Sequence, residues 1–63
     1  MNHIEWKAEV TKQLMLRKMT RAQLAEKLDY SEHYIQHIIC GDMRARKVIK
    51  AISDELGIEP YSE

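Results

Sequence analysis

Apolar residues recur along this chain at helical spacing. Trp6, Val10 and Leu14 are separated by four, and Leu14, Met15 and Lys18 continue that turn. Leu24, Ala25 and Leu28 follow at i, i+1 and i+4, then Ile35, Ile38 and Ile39 at i, i+3 and i+4. Val48, Ile49, Ile52 and Leu56 form a last set at i, i+1, i+4 and i+8. Each set makes one stripe on a helix, so the pattern predicts four helices over about residues 3–17, 21–28, 32–40 and 46–56.

Polar residues punctuate these stripes where helix ends are expected. Asn2 with Glu5, and Thr20 with Gln23, have the spacing of a capping box, and Ser31 is a good N-cap for the third helix. Between the second and third helices lies Asp29-Tyr30-Ser31. Aspartate tolerates the left-handed backbone that ends a helix better than a β-branched residue does. Gly41 and Gly57 supply stops after the third and fourth helices, and Met19 is expected to fill the gap between the first two. Trp6 reads as an anchor of the core or of a dimer surface rather than a platform for bases. With one Pro, two Gly and no Phe in 63 residues, the expectation is a single, small, all-α domain.

The stretch Thr20 to Gly41 carries a resemblance. Gln23-Leu24-Ala25-Glu26-Lys27-Leu28, a three-residue turn closing on Ser31, Ile35 four residues later and Gly41 ten after Ser31 resemble the helix-turn-helix of Cro/CI-type (XRE-like) DNA-binding domains. In that pattern a small residue, here Ala25, sits where two helices cross near perpendicular, and the second helix projects into a major groove. The resemblance runs from about Trp6 to Ile58 and implies a compact four-helix, lambda-repressor-like domain with at most a vestigial fifth turn. The chain departs from the family in two respects. Asp29 stands where glycine is usual, and Leu14 and Ile39 stand where an Arg–Glu pair is common. Losing both charges together is coherent, because a buried ion pair can be exchanged for packed apolar groups at little cost, whereas losing one strands a charge. Family members often continue into a fifth helix that helps dimerisation; with the chain ending at Glu63, that route is not expected here.

Charge modifies this picture. Ten basic and ten acidic residues cancel, which is weak support for a nucleic-acid binder. Their distribution is uneven. Residues 17–50 hold eight basic groups against Glu26, Asp29, Glu32 and Asp42, and residues 51–63 hold only the acids Asp54, Glu55, Glu59 and Glu63. The basic part coincides with the implied DNA-facing part.

Other chemistry is poorly supplied. Asp29, His33, His37 and Cys40 form a row at helical spacing that has the donor types for zinc, but a structural site needs four well-placed ligands and one helix offers these poorly; no metal and no cofactor are expected. There is no glycine-rich phosphate loop, and Ser53 and Cys40 lack a base and an orienting group, so no enzyme is expected. A membrane span and a secretory pattern are both missing, and the single cysteine fits a reducing cytoplasm.

The resemblance therefore implies a sequence-specific transcriptional regulator whose helix 31–40 enters the major groove of double-stranded DNA. Glu32, His33, Tyr34, Gln36 and His37 are the expected base-reading residues, with Gln36 suited to adenine, Glu32 to cytosine N4 and Tyr34 to a thymine methyl or a phosphate. Arg21, Arg44, Arg46 and Lys47 are the expected phosphate contacts. A half-site read by so small a domain binds weakly, which points to a homodimer, a tandem array or a helper protein. The rival expectation, on the same scaffold, is an interaction module that binds another regulator; it draws on the neutral net charge and on a recognition face without Lys or Arg.

Overall fold

The structure, a computed structural model, describes residues 2–61, which form four α-helices and no strand. They are α1 (His3–Leu16), α2 (Arg21–Leu28), α3 (Glu32–Cys40) and α4 (Arg46–Leu56). α2 packs chiefly on α3, while α1 lies across α3 and α4.

Local chemistry starts three of the four helices. The Asn2 side chain accepts from the Glu5 N–H at 2.8 Å while the Glu5 carboxylate accepts from the Asn2 N–H at 3.0 Å. Thr20 and Gln23 repeat this exchange at 3.1 and 2.9 Å, and Ser31 Oγ accepts from the Tyr34 N–H. Each bond satisfies a donor that the first turn of a helix leaves without an internal acceptor. α4 begins differently: Ala45 occupies the N-cap and makes no side-chain cap bond.

Left-handed residues end the helices. Asp29, Gly41 and Gly57 take φ of 64°, 92° and 68°. At Gly41 glycine answers a second demand, since a Cβ there would come within 2.7 Å of the His3 ring. α1 stops one residue earlier than the apolar spacing predicts. Arg17 is its C-cap, and Lys18 turns left-handed at φ 54°, so that the Met19 N–H reaches back to the Leu14 carbonyl at 2.9 Å. No glycine marks this turn in the sequence, which is why the helix read as longer.

Trp6, Val10, Leu14, Leu24, Ala25, Ile35, Ile38, Ile39, Val48, Ile49, Ile52, Leu56 and Tyr61 are buried and form one cluster. Trp6 thus belongs to the core. Its indole Nε1–H donates to Ser53 Oγ at 2.9 Å, and that hydroxyl donates to the Ile49 carbonyl at 2.7 Å, so the buried polar atoms pair with each other. Leu14 and Ile39 both lie in this cluster. Met15 does not continue the core stripe: it is 74% exposed, on the outer side of α1 with Ile4.

After α4 the described chain has no further helix, but Tyr61 returns to the core. Its ring centroid lies 5.1 Å from that of Trp6 and 5.2 Å from that of His3. His3 in turn donates from Nε2 to the carbonyl of Ile39 at 3.0 Å, closing one end of α3 against the start of α1.

Candidate nucleic-acid interface

α3 is held by its apolar edge and presents the rest. Ile35, Ile38 and Ile39 are buried against the core, and the left-handed turn at Asp29 sets the helix at its angle to α2, with the Tyr30 N–H bonded to the Ala25 carbonyl at 2.9 Å. Ala25 is itself buried at this junction. Opposite the isoleucines, Glu32, His33 and Gln36 are exposed, while Tyr34 and His37 are half-buried.

The five expected base-reading residues are therefore not equivalent. Glu32 and Gln36 line a groove of about 360 Å³ whose walls include Thr11, Thr20 and Arg21 from α1 and α2. Arg21 lies low in this groove, with its Nε buried and unbonded among the described residues. The first turn of α2 thus brings a guanidinium beside the two α3 residues best suited to base edges. Gln36 donates from Nε2 to Cys40 Sγ at 3.3 Å. A thiol is a weak acceptor, so this contact is readily exchanged for a stronger one.

Tyr34 is turned inwards. It packs on the core and against Tyr30, with ring centroids 5.4 Å apart, which leaves less of it for a thymine methyl or a phosphate.

The histidines form a chain of bonds. His37 Nδ1 lies 3.2 Å from Asp42 Oδ2, and His37 Nε2 lies 2.9 Å from His33 Nε2. A carboxylate can only accept, so His37 Nδ1 donates; with both rings neutral, His37 Nε2 then accepts from the Nε2–H of His33. Asp42, at the start of the loop, thereby fixes His37 and, through it, His33. The row read from the sequence as a metal-ligand spacing is broken up: Cys40 accepts from Gln36, Asp29 is the left-handed cap of α2, and no group of three or more metal-ligating side chains occurs among the described residues.

Positive charge follows at the far end of α3. Arg44 is exposed in the connection, and Arg46 and Lys47 are exposed in the first turn of α4. Cations at a helix N-terminus run against the helix dipole, and here no side chain caps the first amides and the first turn holds no acid. An anion is the natural complement of such an end. Two other cations are engaged in holding the fold. Arg17 donates to the carbonyls of Glu55 and Leu56 at 3.4 and 3.1 Å, closing the C-terminus of α4, and Lys27 pairs with Glu55 at 3.4 Å. The basic excess of residues 17–50 is thus divided between a structural share at the end of α4 and a share around α3.

Sequence reasoning missed His3, Asp42, Arg17 and Ser53 as positioning residues. Their partners lie elsewhere in the chain or, for Asp42, just past a helix end, and no spacing rule marks them. Among the described residues no helix is long and apolar enough to cross a membrane. Comparison of the chain with family profiles, with curated proteins and with solved structures finds no match.

Proposed function

We propose that this protein is a DNA-binding regulator of the Cro/CI type, with α3 as the reading helix. The observation that carries the reading is the arrangement around α3. A short helix, docked by its apolar edge through a left-handed turn, offers hydrogen-bonding side chains outward and has cationic residues near both of its ends. Gln36 and Glu32 are the leading base-reading residues. Arg21 beside them, and Arg44, Arg46 and Lys47 beyond the other end, set register on phosphates. His33 and His37 act as a unit braced by Asp42.

The test is fluorescence anisotropy of labelled random-sequence duplex DNA, titrated from low to near-physiological salt. Binding is expected to fall steeply as salt rises, because released counterions drive phosphate contacts. Arg46→Ala is expected to weaken binding to all sequences and to lower the salt slope by about one, whereas Gln36→Ala changes preference at one base position by about 1–3 kcal/mol. Absence of binding even at the lowest salt overturns the reading and leaves the interaction-module alternative on the same scaffold.

A further inference from the structure

The outer face of α1 is apolar without being part of the core. Ile4, Ala8, Thr11 and Met15 are spaced four, three and four apart and fall within about 60° of helix circumference, on the side away from Trp6, Val10 and Leu14. Ile4 and Met15 are 77% and 74% exposed; Leu16, also 67% exposed, lies about 80° further round the helix, outside the stripe. The one hydroxyl in the row is already satisfied: Thr11 Oγ1 donates to the Lys7 carbonyl at 3.0 Å, so its methyl is what the face presents. A shallow groove of about 500 Å³ runs along these residues, with Lys7 and Lys12 on its two banks.

The geometry points to a second copy of this chain as the occupant, with the two α1 helices antiparallel. A four-three-four stripe is the seam of a helix pair, and small Ala8 near its middle allows close approach. The flanking charges decide the orientation. In a parallel pair, Lys7 of each helix falls beside Lys12 of the other, two like-charge contacts along the seam. In an antiparallel pair, Ile4 lies over Met15 of the second copy and Ala8 over Thr11, while Glu5 of each helix falls beside Lys12 of the other, two opposite-charge contacts. Lys12 also lies 3.9 Å from Glu9 of its own helix and keeps a 64% exposed side chain, leaving it accessible to the second copy. The seam is about 20 Å long, well short of the roughly 800 Å² per partner of a standard interface, so the dimer is weak and concentration-dependent. This pairing is argued from α1 without appeal to the DNA reading, although Thr11 and Met15 of the seam also line the groove that holds Glu32 and Gln36.

Sedimentation equilibrium between about 10 μM and 1 mM at low salt tests it, over the range in which so small an interface populates both species. A monomer–dimer equilibrium is expected. Ala8→Arg, at an exposed position, is expected to raise the dissociation constant at least tenfold with an unchanged far-UV circular dichroism spectrum. Lys12→Glu separates the orientations: it places Glu beside Glu5 in the antiparallel pair and weakens association about tenfold, but places Glu beside Lys7 in a parallel pair and strengthens it. A monomer throughout, or a dimer indifferent to Ala8→Arg, overturns the proposal, and tighter association of Lys12→Glu overturns the orientation.

Discussion

Ser53 shows how one side chain can decide the fit of a much larger one. It is fully buried on α4, donates to a carbonyl one turn back and accepts from the indole of Trp6. Ser53→Ala leaves the Nε1–H of a fully buried tryptophan without an acceptor, and the expected cost is about 1–3 kcal/mol, read by urea denaturation. The control is the Trp6→Phe, Ser53→Ala double variant, whose cost is expected to fall short of the sum of the singles, since removing both partners strands neither. Similar logic applies around α3. His37 owes its orientation to Asp42 and passes it to His33, so the two imidazoles are a braced pair rather than separate reading groups. The sequence marks Asp42 only as one of the acids offsetting the basic stretch.

The helix ends show where local chemistry is sufficient and where it is not. Both capping boxes and the left-handed Asp29 are determined within three or four residues, and they stand where the sequence places them. The end of α1 is different. Lys18 takes φ 54° without being Gly, Asn or Asp, which costs about 1–2 kcal/mol relative to a right-handed conformation. Lys18→Gly removes that strain and gives back part of it through the greater freedom of the unfolded chain. A net stabilisation of about 0.5–1 kcal/mol is expected, with a rise in the midpoint of thermal unfolding of several degrees. No change, or a loss, would mean that the Lys18 side chain contributes more than the strain removes. α4 is the helix whose start depends most on its surroundings: it lacks a side-chain cap and carries Arg46 and Lys47 in its first turn, an arrangement that stability alone does not favour.

At the scale of the whole molecule, four short helices share one core, and its closure depends on a residue outside all of them. Tyr61 packs on Trp6 and His3, and so ties the segment after α4 to the start of α1. A 63-residue domain has a total stability of only about 3–9 kcal/mol. Tyr61→Ala removes a buried aromatic ring at an expected cost of about 3 kcal/mol, a large part of that total, and is expected to lower the unfolding midpoint by about 10–20 °C. An effect below a few degrees would show that the segment after α4 does not contribute to closure. The proposed α1 pairing acts at this scale too, since mass action stabilises a folded state that dimerises.

Much of this protein was determined by residues close together in the chain. Periodicity placed four helices, hydroxyl and amide side chains placed the starts of the first three, and Asp29, Gly41 and Gly57 placed three of the ends, because these choices depend on interactions spanning only a few residues. The exposed polar side of α3 followed from the same periodicity. Tertiary structure alone decided which polar groups met across 36 to 47 residues of sequence: His3 with Ile39, Arg17 with Leu56, Trp6 with Ser53. It also decided that Tyr34 turns inward, that Arg21 shares a groove with Glu32 and Gln36, and that Met15 faces outward with Ile4. A periodic stripe shows that a helix has an apolar side, but α1 has two. Only the packing of α3 and α4 against Trp6, Val10 and Leu14 selects the buried one and leaves the other exposed.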